Sequence, residues 1–461
     1  MKGILTRIYE WFPIVFLIII WYVPRQTALH GFFEEYTILR WITLFIIPLW
    51  GIIQISINIY TKRGLKLTPL IIPILCFGLL LLISSFLNKT PFAQLIGAGL
   101  LYLRYPILFI ILVNMDLPKN ILKVFTFVFG TLLLIQIPEC LYRYLVLGIT
   151  QDHISWSMGP WGTMDLGVYS IYFTSILVSY GIFKKIRFYH LLIGGFFIIA
   201  LLGEIRAFYF AIFPVVVVVC LVALKDFSKD KFIRTGIFFS LLIVFFVLSL
   251  KLWDRIYSTR NDFFTKLVSA QKRKEIIQEY KKPLLLVKKN SSKDTSKRDK
   301  FQDTIKKIAG LPGVHRVAWF YDYFYKINPP FINALFGFGP GASFAGFFWR
   351  EKGKIYRYDN VNKKNQIIRI LADVGLVGLA IFYWLLFCVL NILVKVKKHI
   401  SDNEMKIFVC ATIGMWFFYT FLCPLYTLAW RFDAPSYIFF FYSAMVYKIY
   451  KHDINKSYVT G

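Results

Sequence analysis

Leu67-Thr-Pro-Leu-Ile-Ile-Pro-Ile-Leu-Cys-Phe-Gly-Leu-Leu-Leu-Leu-Ile-Ser-Ser-Phe-Leu87 carries no charged side chain along its length. An apolar run of about 20 residues is what a helix needs to cross a bilayer core. Runs of the same kind occur at 8–23, 41–60, 92–115, 121–147, 165–183, 189–203, 207–224, 235–252, 367–394, 407–423 and 435–449. The chain is therefore read as an all-α polytopic membrane protein with about twelve transmembrane helices. Composition agrees. Of 461 residues, 57% are hydrophobic and only 17% charged, against about a quarter charged in soluble domains. The seventh and eighth runs form one apolar stretch interrupted by Gly203, Glu204 and Arg206, which is read as two spans joined by a tight turn.

Charge sets the orientation. Alternate loops hold Lys62, Arg63 and Lys66; Lys119; Lys184, Lys185 and Arg187; Lys225, Lys229, Lys231 and Arg234; and Lys395, Lys397, Lys398 and Lys406. The intervening short loops hold little more than Arg25 and Arg431. The positive-inside rule then predicts both termini in the cytoplasm and an even number of spans. The first run lacks a small-residue cleavage site and is read as a retained helix. The layout is a bundle of about nine helices over 1–252, a large extracytoplasmic loop over 253–366, and about three helices over 367–461.

The formal net charge of +29 would by itself suggest a nucleic-acid partner. Its distribution removes that reading. One share is the topological signal, and the loop 253–366 carries 24 Lys and Arg against 10 Asp and Glu, an excess of about +14. Within the loop, 265–310 is Lys-rich and ends in polar low-complexity sequence. Residues 313–327 place Arg316, Trp319, Phe320, Tyr323 and Phe324 at helical spacing, as in an amphipathic helix on a membrane surface or over a cavity. Asn333 to Gly346 reads as a Gly/Pro turn. The six cysteines all fall in or beside apolar runs, so the loop has no disulfide framework, and no His, Cys or carboxylate cluster has metal-ligand spacing.

Ionisable groups within spans are costly and are functional candidates by default. Arg104, Glu139 with Arg143, and Glu204 with Arg206 qualify. Glu139 and Arg143 also read as a plain i,i+4 pair. On the outer side, Arg260, Arg316, Arg350, Arg357 and Arg369 present guanidinium groups suited to a phosphate or diphosphate. Lipid head groups are the alternative partner for each of them. The external acids Asp152, Asp165, Asp254, Asp262, Asp322, Asp359, Asp373 and Glu351 are candidate bases, among which the sequence does not choose.

Three motifs follow in order: Arg316-Val-Ala-Trp319, then Leu335-Phe-Gly-Phe-Gly-Pro-Gly341, then Lys364-Asn-Gln-Ile-Ile-Arg-Ile-Leu-Ala-Asp-Val-Gly-Leu-Val-Gly378. With an Arg opening the eighth span, this pattern resembles the O-antigen polymerase and O-antigen ligase superfamily of bacterial inner membranes. Many relatives carry His-Asn where this chain has Lys364-Asn365, a departure that favours polymerase over ligase. The resemblance implies a glycosyltransferase C-like membrane architecture and metal-independent, cofactor-free transfer from an undecaprenyl-diphosphate-linked oligosaccharide at the outer face. It also implies a chain-length regulator and a flippase of the same pathway as partners, alongside the lipid bilayer and no nucleic acid.

In that reading Arg206 and Arg316 stabilise the departing diphosphate, and Glu204, Asp359 or a desolvated Lys364 takes the proton. Arg260, Arg369, Arg357, Arg104, Trp319 and Tyr323 bind diphosphate or glycan. An alternative of another class is a transporter or flippase for a lipid-linked or anionic substrate, although the two halves of the chain show no repeat.

Overall fold

The computed structural model describes residues 2–26, 37–147, 163–184, 189–202, 205–223, 328–343, 366–426 and 433–459, with isolated positions between 233 and 248. Among them the regular secondary structure is all helical. Helices α1 (Lys2–Gln26), α2 (Thr37–Tyr60), α3 (Ile71–Asn88), α4 (Phe92–Asn114), α5 (Ile121–Leu134) and α6 (Gln136–Leu145) come first. They are followed by α7 (Thr163–Phe183), α8 (Tyr189–Leu202), α9 (Arg206–Ala223), a single-turn α10 (Phe331–Phe336) and the long α11 (Gln366–His399). Helix α12 (Asn403–Phe417) continues through a π-helical turn, Phe418–Leu422, into α13 (Cys423–Tyr426), and α14 (Asp433–Val459) ends the chain.

Six stretches among the described residues are long and apolar enough to cross a membrane: Ile71–Asn88, Phe92–Asn114, Ile121–Leu145, Asp165–Phe183, Gln366–His399 and Asn403–Leu422. The runs at 8–23, 41–60, 189–203, 207–224 and 435–449 also fall on helices. The run 235–252 lies largely outside the described residues, as do 253–327 and 344–365 of the long loop. The expected break near 203 is present: α8 ends at Leu202, and α9 opens at Arg206.

Helix α7 lies at the centre, packed on α9 and α12. It is enclosed by protein, which its composition allows. Thr174, Ser175 and Ser179 return their hydroxyls to backbone carbonyls four residues earlier, at 2.7, 3.0 and 2.9 Å, so these three buried hydroxyls are satisfied within the helix. Gly414 of α12 faces Ser175 and Val219 of α9, and its missing side chain permits this close approach. On the other side α14 packs on α4, with Phe441 stacked on Phe125 of α5 at 3.7 Å and Tyr437 donating to the Pro13 carbonyl at 2.6 Å.

One end of the bundle is tied by polar groups. Tyr9 donates to Gln54 Oε1, and Gln54 Nε2 donates to Asn58 Oδ1 and to the Asn114 carbonyl. Arg63 pairs with Asp116, Lys448 reaches the Met115 carbonyl, and Glu404 takes both Lys123 and Lys184. The Lys184 ammonium is held above its usual pKa by its bond to Glu404. The contacts bring four of the five loops that the charge rule groups on a single side to a single end; the fifth, with Lys225, Lys229, Lys231 and Arg234, lies outside the described residues.

Packing at Gly414 gives a direct test. A Cβ there would lie 2.6 Å from Val219 Cγ2, whereas Gly99 in α4 has nothing within 4 Å. Gly414→Ala is expected to destabilise by about 1–3 kcal/mol and Gly99→Ala to be neutral or slightly stabilising. Thermal unfolding of the two variants in detergent micelles measures the difference.

Candidate functional site

The end of the bundle opposite the Glu404 cluster holds a knot of backbone and buried polar groups. Helix α11 is broken near its start, where Gly375 adopts φ 68° and ψ −166°, so Gln366–Val374 forms a short helical piece ahead of the long one. Gly337, just after α10, adopts φ 77° and ψ −178°. Both conformations lie in a region open to glycine almost alone. The two glycines lie against each other's segments. A Cβ on Gly375 would lie 2.2 Å from the Leu335 carbonyl oxygen and 2.6 Å from the Gly337 nitrogen. A Cβ on Gly337 would lie 2.4 Å from the Asp373 carbonyl and the Val374 nitrogen.

The helix break frees carbonyls, and the neighbouring segments use them. Phe338 N–H donates to the Ala372 carbonyl at 2.8 Å. Ser84 Oγ on α3 stands 2.6 Å from the Phe336 carbonyl and 3.2 Å from that of Asp373. Asn88 and Asn333 complete the joint: Asn333 Nδ2 donates to Asn88 Oδ1 at 2.9 Å, and both side chains donate to the Gly337 carbonyl.

Asp373 lies at the centre of this arrangement and is fully buried. Its Oδ2 accepts from Tyr102 on α4 at 2.7 Å and its Oδ1 from the Ser343 backbone N–H at 2.8 Å. Arg369, one helical turn earlier and also buried, is near enough for its charge to act on both Asp373 and Tyr102. One carboxyl group thus joins three elements: α4, the segment after α10, and the piece of helix that carries Arg369. Burying it is costly unless it is hydrogen-bonded, and the two donors supply that.

A second buried arginine, Arg104, lies on α4 two residues from Tyr102, with its guanidinium 4.7 Å from the centre of the Tyr105 ring. Its charge reaches Tyr419, whose hydroxyl lies 2.9 Å from Ser436 Oγ. Tyr419 belongs to the π-helical turn, a distortion that recurs at functional sites. Beyond it Tyr172 of α7 meets Phe418 edge to face. At the start of α7, Asp165 is buried, and a Cβ on Gly167 would come within 2.6 Å of Ile205, the residue before Arg206.

Of the residues expected at a site, Arg104 and Arg369 are enclosed in this half of the bundle, and Arg369 stands beside Asp373 and not at an open membrane face. Arg206 opens α9, with its side chain outside the described residues. Glu204, Arg260, Arg316, Trp319, Tyr323, Arg357, Asp359 and Lys364 all lie outside them. Glu139 and Arg143 are 4.0 Å apart on one helix face, the local pair that their spacing suggests. Among the described residues no group of three His, Cys, Asp or Glu could hold a metal.

Sequence reasoning placed Asp373 among eight external acids and could not separate it from the others. It missed Tyr102, Ser84, Asn88 and Ser343. Nothing local marks these four, because their role depends on the contact between Leu335–Gly341 and the start of α11.

Both glycine positions are testable. Gly375→Ala and Gly337→Ala each force a side chain into a disfavoured backbone region and into backbone atoms of the partner segment, for an expected loss of about 3 kcal/mol or more. Thermal midpoints in detergent, compared with Gly99→Ala, measure it; midpoints equal to that control would contradict the interlock.

No protein-family model matches the chain, and no curated protein matches it.

Proposed function

We propose that this protein is a glycosyltransferase of the bacterial inner membrane that polymerises a surface polysaccharide, such as O-antigen or capsule, from polyprenyl-diphosphate-linked repeat units. The observation that carries the reading is the meeting of two motifs. Leu335–Gly341 and the stretch ending at Gly378 are the second and third elements of the resemblance, and in the fold they form one joint around Asp373. A catalytic loop between two bundle segments needs a fixed point of attachment, and this joint supplies one. Two buried arginines in the same half of the bundle support the reading, since a charge kept within membrane helices is expensive unless it is used.

In the proposed reaction an acceptor-sugar hydroxyl attacks the anomeric carbon of the donor. The new C–O bond forms as the bond to the lipid diphosphate breaks, and the electron pair leaves with the diphosphate. Arg206 and Arg316, supported by Arg260, offset the charge developing there. Glu204, Asp359 or Lys364 takes the hydroxyl proton. Asp373 serves as a tie and not as the base, because each of its oxygens already accepts a hydrogen bond inside the protein. The twelve-span count, cytoplasmic termini and outer-face site belong to the same proposal.

Purified protein incubated with a lipid-linked repeat unit tests it. A ladder of lipid-linked products is expected, and Arg206→Ala and Arg316→Ala should each lower its formation about 100-fold at normal protein level. Transfer only to lipid A-core would identify a ligase instead. Movement of the lipid-linked unit across a liposome membrane without bond formation would identify a flippase.

A further inference from the structure

The long loop is charged almost throughout, with one exception. All of its Lys, Arg, Asp and Glu residues lie outside 328–349. That uncharged stretch begins Asn328-Pro-Pro-Phe-Ile and contains α10. Phe331 and Ile332, in the first turn of α10, are 78% and 57% exposed. Two large apolar side chains, held out from an otherwise hydrophilic loop and followed by a tightly fastened segment, need a covering of their own kind.

The surroundings indicate what the covering is. Helix α3 presents Ile72, Leu75, Leu79, Leu82 and Phe86 outward at three- and four-residue spacing, the pattern of a face turned to lipid. The stripe ends at Phe86, 86% exposed, and Phe92 at the start of α4 is 74% exposed. Helix α10 is fastened beside that end through Ser84, Asn88 and Asn333. Its level is fixed as well. Beyond the break at Gly375, residues 376–394 of α11 give about 27 Å of apolar helix before Lys395, close to the thickness of a bilayer core. Asp373 therefore stands at one boundary of the apolar layer, and Ser84 ties both Asp373 and Phe336 to the same level. Phe331 and Ile332 lie at the depth where aromatic and aliphatic side chains enter the boundary between head groups and acyl chains.

We infer that α10 is an interfacial membrane element, with Phe331 and Ile332 seated among bilayer phospholipids as a continuation of the α3 lipid face. The loop is thereby pinned at two points: by hydrogen bonds to α3, α4 and α11, and by lipid. This inference stands apart from the proposed reaction and holds whether or not the protein forms a glycosidic bond.

The test uses the full chain in nanodiscs of phosphatidylethanolamine and phosphatidylglycerol, with a benzophenone amino acid replacing Phe331 in one sample and Ile332 in another. Phe86 serves as the lipid-facing reference and Phe125, fully buried, as the protein-facing one. After illumination, mass spectrometry is expected to find phospholipid adducts at 331 and 332 in yields within about threefold of that at 86, and none at 125. Crosslinks at 331 and 332 to other parts of this chain, with lipid adducts at 86, would overturn the inference. So would adducts at 331 and 332 that form only when undecaprenyl phosphate is added, because the surface would then belong to a polyprenyl chain and not to bilayer lipid. Using two positions keeps the test decisive if one variant fails to fold.

Discussion

A membrane helix that loses its regular backbone exposes carbonyls that lipid cannot satisfy, and the half of the bundle that holds Asp373 is organised around that constraint. Gly375 breaks α11, and the freed carbonyls of Ala372 and Asp373 are taken up by Phe338 N–H and Ser84 Oγ. The approach is close enough that neither Gly337 nor Gly375 has room for a side chain. The Asp373 carboxyl, reaching Tyr102 and the Ser343 amide, then fixes the same segments through side-chain hydrogen bonds. Removing the break would leave a straight helix with no place for the chain following α10.

The two ends of the bundle differ in kind. At the Glu404 end the ties are exposed ion pairs, each weak alone and screened by salt, together with side-chain amide hydrogen bonds. At the Asp373 end the buried Asp373 carboxyl is held by two donors with Arg369 nearby, where loss of one partner leaves a polar group stranded. The first arrangement suits an end that only closes the bundle. The second suits a joint that must hold a loop at one register.

Much of this was legible in the sequence, and the limits have physical causes. Apolar runs near bilayer length located the helices because the membrane imposes their length, and the break before Arg206 showed because charge interrupts the run. The i,i+4 spacing of Glu139 and Arg143 offered a local pair as one of two readings, and the two side chains lie 4.0 Å apart. The Gly-rich motif after α10 marked a turn but not its partner, since a glycine needed for close approach looks the same as one needed for a bend. Tyr102 was one tyrosine among 28, and Asp373 one acid among eight, until folding brought them within 2.7 Å. Arg369, grouped by sequence with the loop arginines as a candidate diphosphate ligand, is buried on the short helical piece ahead of Gly375, a placement that its position at the start of an apolar run did not reveal.

The joint at Asp373 is the claim on which the rest depends, and amide hydrogen exchange in detergent or nanodiscs measures it directly. The Phe338 and Ser343 amides, bonded to the Ala372 carbonyl and to Asp373, should be protected to the same degree as amides within the long part of α11. Tyr102→Phe should raise exchange at Ser343 more than at Phe338, since only the former shares the carboxyl group. Exchange of both amides at the rate of an exposed loop in the unsubstituted protein would contradict the account.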